Sequence, residues 1–416
     1  MRASNLFAPS RKELPKDETS TNAQLLLRAG YVDKLMAGVY SLLPLGLTVQ
    51  RHIERIIREE MNALGAQELL LPALHPKSLW DVTGRWATLA DIMYQFRDHQ
   101  DRSVGLGTTH EEVITDIVAH SVTSYRDLPL KVYQIQTKFR DEPRAKSGLI
   151  RLREFTMKDL YTFHADAADL ATCYDQVQAA YRTIFERCGL KAKIIEASGG
   201  AFTKEFSHEF SVVSDAGEDR IVFCPACDVA QNKEIARVKG GQLCPNGDGT
   251  LAEAKAVEVG NIFKLGTRFS EALHAVFRDA HGREQPMHMA SYGIGPGRVL
   301  ATIVEVHHDE QGIVWPASVS PSLATIISLG AEPAAAALYR ACEKAGVPVL
   351  YADRAGSAGE QFATADLLGF PVRIVASKKT GAKLEWKRRD EDTLELVTPA
   401  EALKRLTALE RERYAR

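Results

Sequence analysis

The sequence predicts an α+β domain built on an antiparallel sheet, followed by a smaller α/β domain. Residues 131–138 and 150–163 have extended patterns and flank a charged, turn-like segment, which predicts two adjacent strands. In the last quarter of the chain, short apolar runs alternate with helical patterns, as in domains with a largely parallel sheet. Residues 315–321 are rich in proline and serine, which indicates a boundary. We therefore expect one domain over residues 1–316 and a second over residues 321–416.

The α+β domain is expected to begin with a long amphipathic helix. Apolar residues recur at helical spacing over residues 46–64, and Gly65 supplies a C-terminal stop. The apolar run 68–74 contains Pro72, which cannot donate to a sheet, so this run suits an edge or interface strand. Further elements of this domain are expected at residues 170–188 and 298–306 for helices, and at residues 257–268 and 287–292 for strands.

The second domain is expected to alternate strand and helix. The strands are predicted at residues 323–329, 348–351 and 372–376, and the helices at residues 334–345 and 360–368. A basic run, 378–389, follows the last of these strands.

Composition excludes several classes of protein. With 416 residues, 45% hydrophobic and 25% charged, the chain is long enough for two or three domains with their own cores. Its apolar stretches are far shorter than the ~20 residues of a membrane span, so no membrane helix is predicted. Six cysteines are too sparse for a disulfide framework, and a cytoplasmic location is expected. A net charge of −2 argues against a general polyanion binder, so nucleic-acid contacts must be local.

The densest polar cluster lies between the two adjacent predicted strands. An arginine such as Arg140 or Arg151 suits a phosphate, because its planar guanidinium offers charge and paired donors. Glu142 would share a face with Arg140 and suits an adenine amino group, while Phe155 offers a surface for stacking a base. For any one charge alone, a salt-bridged hairpin facing solvent is the better explanation. Their combination favours a nucleotide site.

These residues, in this order, resemble class II aminoacyl-tRNA synthetases, and specifically the bacterial type of prolyl-tRNA synthetase. Motif 2 of that family, FRxE followed by RxxxFxxxD, is matched by residues 139–142 and 151–159. Motif 1 resembles residues 46–72, and motif 3 resembles residues 292–298 with the helix after them. The segments that resemble prolyl rather than threonyl, seryl or glycyl enzymes are residues 84–86, 107–112, 207–210, 258–266 and 312–316.

The resemblance implies a ligase that activates L-proline with ATP to prolyl-adenylate and transfers proline to the 3′ end of tRNA(Pro). It implies a class II catalytic domain, with an antiparallel sheet and helices, and a C-terminal α/β anticodon-binding domain. It also implies Mg²⁺ as a cofactor and a homodimer built across motif 1. No residue need act as a covalent nucleophile, so His110, His164 and His208 are expected to be structural.

The resemblance assigns the amino-acid end of the site. Thr109 and Glu111 would hold the proline ammonium, which needs an acceptor and an anion. The pyrrolidine ring would enter a pocket formed by Met157, Tyr161 and Phe263. That these three are ordinary core residues is an equally weighted alternative.

The resemblance also assigns the nucleotide end. The catalytic residues are Arg140, shared between the proline carboxylate and the α-phosphate, and Arg298, which would lie over the adenine opposite Phe155. Arg151 would reach the γ-phosphate, and Glu258 would help hold Mg²⁺ and phosphates. The complete ATP-binding set is Arg140, Glu142, Arg151, Phe155, Glu258, Asn261 and Arg298.

Basic residues in two regions resemble the parts of synthetases that contact tRNA. Arg144 and Lys146 lie in the motif 2 loop, which would read the acceptor end. Arg354, Lys387 and Arg388 lie in the anticodon-binding domain. Without the upstream motifs, the run around Lys387 would be interpreted as a solvated face.

Three features depart from the family pattern. Cys224, Cys227 and Cys244 begin like a zinc ribbon, but position 247 is glycine where a fourth cysteine is needed. Three thiolates leave zinc one ligand short unless Asp248 or water completes it, so a degenerate site without tightly held zinc is expected. Ser291 stands where bacterial relatives often have cysteine. Residues 232–256 are also too few to form the large editing domain that many bacterial relatives carry between motifs 2 and 3.

Two other functions are compatible with a class II synthetase fold, and the sequence argues against both. A synthetase for threonine would need a His/Cys zinc set in the catalytic sheet, which is missing from the sequence, and would lack the 107–112 segment. A non-catalytic paralogue would lose the phosphate-binding arginines, whereas this chain keeps Arg140, Arg151 and Arg298.

Overall fold

The computed structural model describes residues 1–9, 18–198 and 206–414. These residues divide into two compact units. The terminal unit comprises Met1–Met36, Tyr40–Ile53 and Ile303–Arg416, and the central unit comprises Ala37–Val39 and Glu54–Thr302.

This division differs from the predicted boundary at residues 316–321. Within the terminal unit, the Tyr31 hydroxyl donates to the carbonyl oxygen of Leu368 (2.7 Å), and the Trp315 indole donates to that hydroxyl (2.8 Å). Early residues therefore pack with late ones, a long-range association that local sequence patterns do not encode.

The helices of the described residues are α1 (Thr21–Arg28), α2 (Pro44–Ala63), α3 (Lys77–Val82), α4 (Arg85–Thr88), α5 (Glu111–Ser121), α6 (Ala167–Arg187), α7 (Arg268–Ala272), α8 (Pro296–Val306), α9 (Glu332–Lys344), α10 (Ala358–Leu368) and α11 (Pro399–Tyr414). Each helix expected from the sequence corresponds to one of these, with ends shifted by a few residues. Among the helices of the described residues, none combines the length and apolar composition that a membrane span requires.

The strands of the described residues are β1 (Val32–Met36), β2 (Val39–Leu42), β3 (Gln67–Glu68), β4 (Leu74–Pro76), β5 (Gln95–Arg97), β6 (Ser103–Leu106), β7 (Leu130–Phe139), β8 (Glu154–His164), β9 (Lys193–Ser198), β10 (Phe206–Val213), β11 (Asp219–Phe223), β12 (Ala230–Asn232), β13 (Ala252–Gly266), β14 (Val276–Arg278), β15 (Glu284–Pro286), β16 (His288–Ile294), β17 (Ala324–Leu329), β18 (Val349–Ala352), β19 (Val372–Ser377), β20 (Leu384–Arg388) and β21 (Leu394–Val397).

The central unit is built on a nine-stranded sheet in the order β10-β9-β12-β11-β13-β16-β8-β7-β3. Its middle strands, β13, β16, β8 and β7, pair antiparallel. The longest register joins β7 to β8, from Leu130 opposite Phe163 to Phe139 opposite Glu154. The predicted antiparallel sheet is therefore confirmed, and the charged loop between β7 and β8 opens at one end of it.

The predicted strand at residues 68–74 is wrong in extent. Only Gln67–Glu68 pairs with β7, at the sheet edge, and Leu74–Pro76 joins a separate sheet with β6. The backbone of Leu71 donates to the side chain of Gln134 (3.0 Å), and the Pro72 carbonyl lies 2.9 Å from ring nitrogens of both His75 and His110. Side chains therefore bond to the backbone of residues 71 and 72 where a neighbouring strand would otherwise pair. Pro72 has no N–H that could donate to a sheet.

Strand β8 presents its two faces to different surroundings, because successive side chains of a strand alternate. Lys158 donates to the hydroxyl of Tyr181 on α6, so its face of the strand packs under that helix. The opposite face carries Phe155, Met157 and Tyr161, which line a cavity.

The terminal unit contains a five-stranded sheet in the order β18-β17-β19-β20-β21. Strands β17, β18 and β19 are parallel, and β20 and β21 add antiparallel. Helices α9 and α11 pack apolar side chains against apolar side chains of the sheet in one buried cluster. Helix α10 packs through Ala365 against Ile327 and Val375 in a second cluster. The predicted α/β domain is confirmed, whereas its sheet is mixed, with two parallel and two antiparallel pairings.

Candidate active site

A cavity of about 240 Å³ lies in the central unit, lined by residues of β8, β13 and β16, of the motif 2 loop and of the start of α8. Every residue that the sequence assigned to proline or ATP lines this cavity. They are Thr109, Glu111, Arg140, Glu142, Arg151, Phe155, Met157, Tyr161, Glu258, Asn261, Phe263 and Arg298. Ser291, at the position that departs from the family pattern, lines it as well.

Arg140 supplies a cation at the middle of this lining. Its guanidinium carbon lies 5.3 Å from the centre of the Phe155 ring. No carboxylate within the described part of the chain forms an ion pair with it, and its Nε has no hydrogen-bond partner there. Burial, and then the charge of Arg298, lower the pKa of Arg140. The site therefore holds a half-buried cation that an anionic ligand would stabilise.

Arg298, in the first turn of α8, is fixed by three acceptors. Its Nε donates to the Ile150 carbonyl (2.9 Å), and its Nη1 donates to the Glu258 carbonyl (3.0 Å) and to Glu258 Oε2 (3.3 Å). The side-chain amide of Asn261 donates to Glu258 Oε1 (2.9 Å), whereas Asn261 Oδ1 has no partner among the described residues. Glu258 and Asn261 thus leave oxygen atoms available beside a guanidinium.

Two acidic residues that the sequence did not assign lie near Glu258. Burial and the charge of Glu258 raise the pKa of Glu209 to about 8, and the same two causes raise the pKa of Asp219. Glu209 belongs to the 207–210 segment, so the motif itself was the available signal. These acidic side chains crowd around Glu258, and a cation bound there would favour their ionised forms.

Arg151 is engaged by two carboxylates. Its Nε donates to Glu142 Oε2 (2.8 Å), and its Nη1 donates to Glu218 Oε2 (2.6 Å). Glu218 also pairs with Lys146 (3.2 Å). Glu218, which the sequence did not single out, therefore ties together two basic residues of the motif 2 region.

The end of the cavity lined by Thr109 and Glu111 adjoins a buried charge cluster. Glu111 Oε2 accepts from the Thr109 hydroxyl (2.6 Å) and from Arg85 Nη1 (3.1 Å). Arg85 also donates to both oxygens of Glu112 (3.1 Å each), and the Thr83 hydroxyl donates to Glu112 Oε1 (2.7 Å). Two carboxylates share one guanidinium, so Arg85 compensates only part of the charge that the two carry when both are ionised.

The sequence assigned no role to Arg85, which donates to Glu111 in the structure. The segment 84–86 was matched to the family, but its side chains were given no role. Gly84 has a left-handed φ of 71°, which glycine adopts at little cost, and α4 begins at the next residue. Arg85 is 3% exposed and packs over the rings of Trp80 (5.2 Å) and Phe269 (5.3 Å).

Tyr161 belongs to a network of hydrogen bonds beside the cavity. Its ring is buried, yet its side chain lines the cavity, and its hydroxyl donates to Asp159 Oδ2 (2.8 Å). Asp159 also accepts from Gln134 (2.8 Å) and pairs with the buried Lys138 (2.8 Å). The backbone N–H of His110 donates to the same Tyr161 hydroxyl (3.1 Å). This network fixes the position of the Tyr161 side chain in the cavity lining.

The three histidines lie outside the cavity lining. His110 is buried against the Pro72 carbonyl, and burial together with Lys138 lowers its pKa to about 2. His164 lies 2.7 Å from Asp169, and His208 lies 2.8 Å from the Tyr174 hydroxyl. These contacts fit the structural roles expected of them.

The residues expected to contact tRNA occupy both units. Arg144 and Lys146 are exposed on the motif 2 loop. In the terminal unit, Arg354 donates to the Leu6 carbonyl (3.1 Å), Lys387 lies 3.8 Å from Asp392, and Arg388 pairs with Asp390 and Glu391. Lys387 and Arg388 of the basic run therefore have acidic neighbours. They lie on β20, which in the sheet order is three strands away from β18, the strand that precedes Arg354.

Comparison with known families divides the chain into two matched regions. Residues 94–307 match the family described as tRNA synthetase class II core domain (G, H, P, S and T). Residues 323–409 match the family described as anticodon binding domain.

Curated relatives match along the whole chain. A protein of an Anaeromyxobacter species, named proline–tRNA ligase, is 35% identical over 97% of this chain and 98% of its own length. A Moorella thermoacetica protein of the same name is 34% identical, with both chains covered completely. The first alignment runs over 563 positions, whereas this chain has 416 residues, so a large part of that relative has no counterpart here.

Solved structures share the fold. A Giardia lamblia prolyl-tRNA synthetase in complex with prolyl-adenylate has a TM-score of 0.77 at 20% identity, over 94% of this chain and 78% of that chain. A Cryptosporidium parvum prolyl-tRNA synthetase complexed with halofuginone and AMPPNP has a TM-score of 0.77 at 18% identity, over 94% of this chain and 75% of that one. At these identities the likeness shows the fold alone.

Proposed function

The chain belongs to the prolyl-tRNA synthetases, ATP-dependent ligases of class II, and we propose that it converts L-proline to prolyl-adenylate and transfers proline to the 3′ end of tRNA(Pro). One observation carries the proposal. The cation of Arg140, which has no ion-pair partner among the described residues, lies in the same cavity as a carboxylate, Glu111, and an aromatic ring on which a base can stack, Phe155. An amino acid and a nucleotide can therefore meet at one arginine.

The amino-acid end would recognise both charges of proline. Its ammonium would bind Glu111 and the Thr109 hydroxyl, and its carboxylate would bind Arg140. The ring would enter the space lined by Met157, Tyr161 and other apolar residues. The partly compensated charge of the two carboxylates around Arg85 supports this orientation, because it favours the ammonium at that end.

The nucleotide end would hold ATP by stacking and charge. The adenine would lie between Phe155 and Arg298, with its amino group near Glu142. The α-phosphate would lie at Arg140 and the γ-phosphate near Arg151, which would exchange one carboxylate partner for the phosphate.

Glu258 and Asn261 have the chemistry to hold Mg²⁺. A carboxylate and an amide oxygen without a protein partner are oxygen donors of the kind this hard cation prefers. When bound, the ion would neutralise charge on the phosphates. The bound ion would also favour the ionised forms of the nearby Glu209 and Asp219.

The reaction would need no covalent enzyme intermediate. The proline carboxylate attacks the α-phosphorus in line and pyrophosphate leaves; the terminal ribose hydroxyl of tRNA then attacks the carbonyl of the mixed anhydride and AMP leaves. Arg140 would stabilise the charge that develops on the α-phosphoryl oxygens. Because the reactants carry the reacting groups, positioning supplies most of the remaining catalysis.

The terminal unit would bind the tRNA anticodon through Arg354, Lys387 and Arg388, while Arg144 and Lys146 would contact the acceptor end. We place the enzyme in the cytoplasm, as a homodimer built through the motif 1 region. The deciding test is amino-acid-dependent ATP–pyrophosphate exchange with each of the twenty amino acids. Proline should give the highest kcat/KM; a higher value for threonine, or exchange with none of them, would overturn the assignment.

A further inference from the structure

Three cysteines form a cluster remote from the cavity. Cys224 and Cys227 follow β11, and Cys244 lies in the segment that leads to β13. Their sulfur atoms all lie within 4.8 Å of one another, and Cys227 Sγ is 3.5 Å from Cys244 Sγ. Cys224 and Cys244 are buried, Cys227 is half-buried, and all three are free thiols. No other such group of potential ligands occurs within residues 1–9, 18–198 and 206–414.

The three sulfur atoms are close enough to serve as ligands of one ion. Atoms that all lie within 4.8 Å of one another can reach a single cation at ordinary metal–sulfur distances. Thiolates are the ligating form of cysteine, so a bound cation would displace the thiol protons.

Lys193 places a positive charge beside the backbone of Cys224 and Cys227. Its Nζ donates to the carbonyls of Cys224 (2.9 Å) and Cys227 (2.8 Å). Three thiolates and a divalent cation carry a net charge of about −1 by simple charge counting. The ammonium would stabilise that charge while it fixes the backbone that presents two of the sulfurs.

The fourth coordination position has no cysteine to fill it. The Asp248 side chain hydrogen-bonds with Cys227, but its carboxylate lies outside the group of ligand atoms that are within 4.8 Å of one another. Gly247 follows Cys244 at the spacing by which Cys227 follows Cys224. A Cβ added at Gly247 would meet no atom within 4 Å, although its φ of 79° lies in the left-handed region, which strains any other residue. Two further polar groups make only long contacts to the sulfurs: Asn246 Nδ2 is 3.8 Å from Cys227 Sγ, and the Asp248 carbonyl oxygen is 4.0 Å from Cys224 Sγ.

We propose that Cys224, Cys227 and Cys244 bind a thiophilic cation such as Zn²⁺ through three thiolates and leave its fourth position to an exogenous ligand. Structural zinc sites are closed by four protein ligands, whereas a site with three keeps one position open. The site is therefore exchangeable. It gives up its metal to a strong chelator, which agrees with the absence of tightly held zinc expected from the missing fourth cysteine.

The test is titration of the full-length reduced protein with Cd²⁺, followed by the thiolate-to-metal charge-transfer absorbance, and then competition by Zn²⁺. We expect saturation at one equivalent and reversal by EDTA. Cys244→Ser should weaken binding by roughly 100-fold, and Lys193→Met by about tenfold. Cys188→Ser, which removes a buried cysteine outside the cluster, is the matched control and should bind like the parent.

Gly247→Cys provides the complementary gain of function. A fourth thiolate should tighten binding by roughly 100-fold and make the complex resistant to EDTA. This variant keeps the proposal testable even if Cys244→Ser fails to fold. Equal Cd²⁺ binding by the parent and Cys244→Ser, or no tightening in Gly247→Cys, would overturn the proposal. So would a parent complex that survives EDTA, because the site would then be closed.

Discussion

The guanidinium of Arg85 lies 3.1 Å from Oε2 of Glu111, so the carboxylate that faces the amino-acid end of the cavity is held from behind by a buried cation. Arg85 divides its charge between Glu111 and Glu112, and only Glu111 lines the cavity. Buried ion pairs are costly to break, so this arrangement fixes the direction of Glu111. The second carboxylate keeps Arg85 from neutralising the first, which leaves negative charge for an ammonium.

Glu112→Gln should raise the KM for proline by roughly tenfold and leave the KM for ATP unchanged. Glutamine keeps the shape of the side chain but removes its charge, so Arg85 would neutralise Glu111 more fully. The measurement is pyrophosphate exchange with each substrate varied in turn. Glu284→Gln, an exposed change on β15, is the control. An equal rise in both KM values would indicate general disruption instead.

The same cluster predicts a pH effect. Burial raises the pKa of Glu112, Arg85 opposes that shift, and the neighbouring Glu111 adds to it. Protonation of Glu112 as the pH falls removes the same charge as the glutamine substitution. Proline affinity of the parent should therefore fall at a higher pH than expected for an ordinary glutamate. Glu112→Gln should lack this step, and identical pH profiles for the two proteins would contradict the argument.

Arg140→Ala should reduce pyrophosphate exchange by roughly 10³-fold, because it removes the cation aimed at the α-phosphate. Arg144→Ala removes an exposed arginine of the same loop and should leave exchange nearly unchanged, although aminoacylation of tRNA should weaken. Exchange by Arg140→Ala within a few-fold of the parent would place the phosphate elsewhere.

Glu111→Ala should weaken proline binding more than any other single change at the amino-acid end. It deletes the only carboxylate of the Arg85 cluster that lines the cavity and leaves Thr109 without its acceptor. Binding of proline can be followed by calorimetry, with AMPPNP binding as the control. An unchanged proline affinity would show that the ammonium binds at another residue.

The enzyme should form alanyl-tRNA(Pro) and should not hydrolyse it. A pocket for proline admits the smaller alanine, and each missing methylene is worth roughly 1–3 kcal/mol in other synthetases, so discrimination is imperfect. Residues 232–256 are too few to enclose a second active site, and the curated relative is far longer than this chain. Isolated alanyl-tRNA(Pro) incubated with the enzyme should decay at the spontaneous rate; faster deacylation would reveal a correcting site.

The sequence by itself determined which residues surround the cavity. Motif 2 supplies Arg140 and Phe155 at a spacing that a hairpin must bring to one end of the sheet, and strand alternation places Met157 and Tyr161 on the same face as Phe155. The parallel strands of the terminal unit were likewise readable, because strand and helix periodicities alternate there.

Only the tertiary structure decided which charges meet. Arg85 precedes Glu111 by 26 residues, and Glu218 follows Arg151 by 67 residues; no local period connects such pairs. The strand expected at residues 68–74 is interrupted for the same reason. The side chains of Gln134, His75 and His110 contact its backbone in place of a neighbouring strand. The packing of Tyr31 with Leu368 and Trp315 in the terminal unit has the same cause, because these residues are far apart in the sequence. Local patterns encode elements and their faces, whereas ion pairs and packing between distant segments arise only when the chain folds and excludes water from them.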